Sequence, residues 1–127
     1  MLNEEGASAG KAPFDLRERT LQFSLSVLKL CATLPNTPEG RVVRGQLIRC
    51  GTSPGAQYRE ACRARSPAEF ISKVESAQQE LDETDYWLEL IERAGMTAPG
   101  AVAELMNEVR ELIAIFAASA RTAKIRR

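Results

Sequence analysis

The 127-residue chain contains no histidine. Histidine is the side chain most used as general base and metal ligand near neutral pH. Its absence removes Ser-His and Cys-His catalysis and the common zinc sites together. Cysteine is sparse as well: Cys31, Cys50 and Cys62 form no CxxC pair. They read as small hydrophobes in a reducing, cytoplasmic setting rather than as metal ligands or a disulfide framework. No metal and no cofactor are expected. Long apolar runs are missing too, and no stretch approaches the roughly 18 residues that cross a bilayer, so no membrane partner is expected. The opening "MLNEEGASAGKAP" has acids where a signal peptide has bases, and no apolar segment follows. Residues 1–13 read as a flexible tail of small residues. Finally, the charge lacks a net sign, with 17 basic and 17 acidic residues. That argues against a constitutive, strongly basic nucleic-acid binder and leaves local patches open.

What the chain does have is helical periodicity. Hydrophobic residues make up 44%, enough for one core. From Phe14 on, apolar positions recur every three to four residues, and no run alternates as a strand would. Turn residues cut this pattern into four segments, predicting an all-α, antiparallel up-down-up-down four-helix bundle over residues 14–120 with a basic tail at 121–127. The first helix is expected from about Asp15 to Leu34, with Asp15 and Glu18 forming a capping box. Thr37 and Pro38 start the second, expected to reach Arg65. "RSPAEF" starts the third with Ser66 as cap and Glu69 at the capping-box position, and Gly95 ends it. The fourth is expected from about Pro99 to Ser119. Phe70, Val74, Ala77, Leu81, Leu88 and Ile91 on the third helix are core candidates. So are Val102, Leu105, Val109, Leu112 and Phe116 on the fourth.

The first helix has two apolar stripes. Phe14, Leu21, Leu25, Leu28 and Ala32 lie on one side, and Leu16, Phe23, Val27, Leu30 and Leu34 lie almost opposite. Two opposed stripes imply burial on both sides. We expect homo-oligomerisation through this helix, with Leu16, Phe23, Val27, Leu30 and Leu34 as the interface. The competing reading places the helix at the centre of a splayed monomer.

Charge is uneven along the chain. The second segment carries Arg41, Arg44, Arg49, Arg59, Arg63 and Arg65, while the third is dominated by acids. Cross-pairing of the two helices is one reading. A surface for nucleic-acid phosphates, extended by Arg121, Lys124, Arg126 and Arg127, is the other. Glu83 and Asp85 sit near the third-helix stripe, and a carboxylate drawn inward there needs a cation. Arg49 and Arg59 are the candidates for those ion pairs.

Gly51-Thr52-Ser53-Pro54-Gly55 interrupts the second segment. It lacks the lysine and the preceding strand of a phosphate loop. The preferred reading is a kink inside one long helix, because Pro54 cannot donate to the Cys50 carbonyl and crowds it. A separate loop is the alternative. Gly51 and Gly55 lack side chains, which lets another helix approach.

The span from Gln46 to Gly95 carries "QLIR-GTS-GA--REA-RA-S--EFI-K" followed by "ETDYWLELI". It resembles the small four-helix-bundle proteins called 23S ribosomal RNA intervening-sequence proteins, or S23-like proteins. That fold includes the accessory variability protein of diversity-generating retroelements. "LQFSLSVLKL" also suits the family's first helix, so the resemblance covers about Leu16 to Ser119. It implies antiparallel bundles assembling into a pentameric barrel. It implies little about activity: some members are encoded in ribosomal RNA gene inserts without an established role, whereas the retroelement member binds a reverse transcriptase and nucleic acid through a basic surface. This chain departs from the pattern at Pro54, where an aliphatic residue is common, and in its neutral charge. The expected function is a non-enzymatic oligomeric scaffold or adaptor for a protein partner. The alternative is a nucleic-acid-binding accessory protein, in contact with RNA or DNA.

Overall fold

Four cap signals set the helix boundaries. The computed structural model describes residues 15–126, which fold into α1 (Leu16–Cys31), α2 (Pro38–Cys62), α3 (Pro67–Ala94) and α4 (Ala103–Arg126). Asp15 Oδ1 accepts the Glu18 N–H at 3.2 Å, Thr37 Oγ1 the Gly40 N–H at 3.0 Å and Ser66 Oγ the Glu69 N–H at 3.1 Å. Each satisfies a donor that a helix start otherwise leaves open. The Glu69 carboxylate reaches back to the Arg65 N–H, one residue before the cap. Gly95 takes the left-handed φ of 67° expected of it, and the Met96 N–H then closes on the Ile91 carbonyl at 3.1 Å.

Other boundaries differ from expectation. α1 ends at Cys31 and α2 at Cys62, each about three residues early. α4 starts at Ala103 rather than Pro99, because Gly100 adopts a φ of 81° that a right-handed helix cannot contain. It then runs on to Arg126, so residues 121–126 are helix and not a tail. The expected tail at residues 1–13 lies outside the described residues, as do Phe14 and Arg127.

Side-chain contacts give the antiparallel order. Arg44 reaches the Cys31 carbonyl and Ser24 the Gly51 carbonyl, which fixes α1 against α2. Lys73 meets Glu60 and Arg49 meets Glu80, fixing α2 against α3. Arg110 meets Asp85 and Lys124 meets Glu75, fixing α3 against α4. Each helix thus packs on its neighbour in sequence, and α1 meets α4 only sparingly.

The core follows the expected stripes closely. Val27, Leu47, Leu81, Leu88, Leu112 and Phe116 are almost wholly buried, each worth about 1.5–3 kcal/mol relative to exposure. Two substitutions occur in the pattern: Ile71 takes the inward place and leaves Phe70 half-buried, and Thr84 fills the step between Leu81 and Leu88. The Thr84 hydroxyl is satisfied by donating to the Glu80 carbonyl at 2.8 Å.

The stretch from Gly51 to Gly55 is helical throughout, inside α2. Its two glycines are where α1 comes closest. A Cβ built on Gly51 would stand 2.9 Å from both Val27 methyls, and one on Gly55 would stand 3.2 Å from Thr20 Oγ1. Ser24 adds a polar contact, its Oγ lying 3.2 Å from the Gly51 carbonyl. The Thr52 hydroxyl donates to the Ile48 carbonyl at 2.6 Å, not to the Cys50 carbonyl that Pro54 leaves free. At the other end of the hairpin a Cβ on Gly40 would fall 2.0 Å from the Pro35 carbonyl oxygen.

Gly51→Ala is expected to destabilise the fold by about 1–3 kcal/mol despite the better helix propensity of alanine, because the methyl forces α1 outward. Combined with Val27→Ala, which opens the space, the loss in urea unfolding should fall below the sum of the single losses. Strict additivity would show that the two residues are not the limiting contact.

Candidate interaction surface

The two stripes of α1 have different fates. Leu16, Phe23, Val27, Leu30 and Leu34 are all buried within the chain's own core. The expectation that they form an oligomer interface is therefore corrected: they face α2 and are unavailable to a second molecule. The opposite stripe is the exposed one, with Leu21 at 42%, Leu25 at 43% and Leu28 at 45%. The helix is not central either, since one full face of it meets solvent. Beside the stripe runs a groove between α1 and α2. Leu21, Ser24, Thr52, Gly55 and Ala56 line it, with Arg17 and Arg59 at its rim. Gly55 forms part of its lining because it has no side chain.

The candidate nucleic-acid arginines divide into two sets. Three are engaged within the fold. Arg44 is half-buried and donates to the Cys31 and Leu34 carbonyls at 3.2 and 3.1 Å, closing the C-terminal end of α1. Its assignment to a phosphate surface is corrected on that ground. Arg49 holds Glu80 and Glu83, and Arg41 donates to Asn36 at 3.1 Å. The others are exposed: Arg59, Arg63 and Arg65 near the end of α2, and Arg121 and Arg126 on the last turns of α4. Lys124 pairs with Glu75 at 2.6 Å. Antiparallel packing brings the end of α2 and the end of α4 to the same end of the bundle, where α1 adds Arg17. Arg127 lies outside the described residues.

The ion pairs expected at Glu83 and Asp85 are half right. Arg49 does meet Glu83, whose other contact is the Trp87 indole N–H at 3.0 Å. Asp85 turns the other way and pairs with Arg110 of α4 at 3.2 Å, while Arg59 makes no ion pair among the described residues. The reason is rotational: two residues apart on a helix, positions 83 and 85 face different neighbours. The sequence reading missed Arg19. Its guanidinium grips Glu108 through two nitrogens, at 2.7 and 2.9 Å, and Glu111 at 2.6 Å. The bonds to Glu108 outweigh desolvation and hold its pKa above the ordinary arginine range. Glu92 is half-buried, with its Oε1 buried and without a hydrogen-bond partner among the described residues.

Burial pushes the Cys31 thiol up to about 11 and the Cys50 thiol upward as well, so both stay protonated and unreactive at neutral pH. Cys62 is exposed. Among the described residues, no group of three or more cysteine or acidic side chains is arranged to hold a metal ion. No helix there is long and apolar enough to cross a membrane.

Fold and surface together define a small all-helical bundle with one outward leucine face. The chain belongs to the 23S rRNA-intervening sequence protein family, whose model matches residues 14–118. It is also similar to a crystal structure from Bacteroides thetaiotaomicron, of a protein with unknown function from the S23 ribosomal protein family. The identity is 32% and the TM-score 0.77, over 83% of this chain and 97% of that one. No curated protein matches.

Two measurements probe this arrangement. Glu83→Gln loses an ion pair and weakens the anchor of Trp87, so it should lower stability in urea by about 1 kcal/mol. Glu104→Gln, on the exposed first turn of α4, should stay within about 0.5 kcal/mol. Equal effects would remove Glu83 as a special contact. At pH 8 a thiol reagent should modify one cysteine of the three quickly, Cys62, and reach the others only on unfolding. Rapid modification of Cys31 or Cys50 would contradict their burial.

Proposed function

We propose that this protein is a non-enzymatic, cytoplasmic scaffold or adaptor that acts as a homo-oligomer, with a pentameric barrel as the preferred assembly. The observation that carries the reading is the stripe of Leu21, Leu25 and Leu28, exposed although the opposite stripe already fills the core. An apolar helix face two turns long has a ready physical use as an interface, because burying it removes each leucine from water. The free thiols support a reducing compartment. Pro54, set inside α2, supports a bend in that helix, which directs Arg59 and Arg63 away from the line of its first half.

A second reading, a nucleic-acid-binding accessory protein, has one observation in its favour. Arg17, Arg59, Arg63, Arg65, Arg121 and Arg126 are all exposed, and helix order collects them toward one end of the bundle. Net neutrality of the chain thus coexists with a basic end, suited to phosphates.

Light scattering of the purified chain should return a multiple of the protomer mass, and Leu25→Asp should reduce it to the protomer with helical content unchanged. A monomeric native chain would sink the oligomer reading. A single-stranded RNA oligomer titrated at about 50 and about 200 mM salt addresses the second reading. Affinity that falls steeply with salt supports it, and no binding at the lower salt removes it.

A further inference from the structure

We propose that the surface receiving the α1 leucine stripe is the outer α2–α3 face of the next copy, centred on Tyr86 and Trp87, rather than a second α1 stripe. This rests on the oligomer reading above and adds the identity of the acceptor.

That face is a second exposed apolar patch among the described residues. Tyr86 is 60% exposed and Val42 63%, with Trp87 and Leu90 half-buried. The α2–α3 register, fixed by Glu60 with Lys73 and Arg49 with Glu83, sets Val42 across from Leu90. Tyr86 packs edge-on against Trp87 with ring centroids 5.1 Å apart, and Trp87 is anchored to Glu83. Two aromatic rings held in place before any partner arrives are well suited as interface anchors, because little freedom is lost on docking.

Size and charge both match. Leu21 to Leu28 spans about 10 Å along α1, and Asp82 to Leu90 about 12 Å along α3. The α1 side is fringed by Arg17, Lys29 and, across the groove, Arg59. None of these makes an ion pair among the described residues. Asp15, bonded as helix cap, and Glu18, bonded to the Gln22 amide, lie at the N-terminal end of the same helix and are outnumbered by these three cations. The α3 side is fringed by exposed Asp82, which makes no ion pair among the described residues, while Glu83 and Glu89 are already paired with Arg49 and Arg93. Pairing α1 with α1 sets cations against cations in either orientation: Arg17 against Arg17 if parallel, Arg17 against Lys29 if antiparallel. Pairing α1 with α3 brings a cation of the α1 side toward the unpaired Asp82 carboxylate. The groove between Arg17 and Arg59 also offers Tyr86 a concave seat, with guanidinium groups available to stack on its ring.

The two patches lie on different faces of one chain, so the contact is head-to-tail. Such contacts propagate from copy to copy and close into a ring where the rotation permits.

Mixing complementary variants tests this. Leu25→Asp spoils the donor face and keeps the acceptor. Tyr86→Asp spoils the acceptor and keeps the donor. Each alone should run as a protomer, with the apparent dissociation constant raised at least about 30-fold. Mixed, they should form a one-to-one pair that grows no further. Trp87 is the only tryptophan, so a Tyr86→Asp/Trp87→Phe titrant is free of tryptophan. It should shift the Trp87 emission of the Leu25→Asp chain to shorter wavelength. Circular dichroism melts confirm that each variant is folded. Tyr86→Asp assembling like the native chain would overturn the proposed acceptor while leaving oligomerisation intact, and so would mixed variants that stay apart. A native chain that is itself monomeric would remove the oligomer reading first.

Discussion

The distance between α1 and α2 governs much of what the molecule presents outward. Val27 rests on the bare backbone of Gly51 and Thr20 on that of Gly55, with no room for an added Cβ at the first position. This approach selects which side of α1 turns inward. Once Val27 and Thr20 seat on the glycines, Phe23 and Leu30 enter the core with them, and Leu21, Leu25 and Leu28 are left facing water. The same approach leaves the shallow groove whose rim carries Arg17 and Arg59. A stretch composed like a turn therefore acts as a packing surface within a continuous helix, and the outward leucine face is its by-product.

Electrostatics in this neutral chain are organised by position. Arg49, Lys73, Arg110 and Lys124 join helices that follow one another in sequence. These contacts are largely exposed, so they fix register more than they stabilise. Arg19 differs. It bridges α1 to α4 with a two-pronged grip on Glu108, across the seam where apolar packing is thinnest. Arg44 differs again, since it serves backbone carbonyls. The arginines left over, Arg17, Arg59, Arg63, Arg65, Arg121 and Arg126, gather toward one end of the bundle.

Much of the fold was legible because local chemistry announces it. Thr37-Pro38 and Ser66-Pro67 mark helix starts, Gly95 marks an end, and the stripes of α3 and α4 lack any competing period. The choice between the stripes of α1 was not legible. Leu16, Phe23, Val27, Leu30 and Leu34 match Leu21, Leu25 and Leu28 in hydrophobicity, and only the partner surface breaks the tie. The deciding signal lay elsewhere in the chain, in Gly51 and Gly55, and it becomes readable only with the α1–α2 register in hand. The roles of the arginines escaped for a related reason. Arg44 and Arg63 look alike in sequence, yet one faces the open carbonyls of α1 and the other faces solvent. Gly100 misled through its neighbour: Pro99 suits a first helical position, but the positive φ that follows delays the helix to Ala103.

The sparse α1–α4 seam has a consequence for the order in which the fold is made. Because every extensive contact joins consecutive helices, each hairpin can pack as soon as its second helix has left the ribosome, without waiting for a distant segment. Val27 finds Gly51 early, and α3 then docks on a surface already formed. Arg19 must wait for α4, which carries Glu108 and Glu111. The Arg19 clasp thus closes a bundle whose consecutive hairpins are already packed.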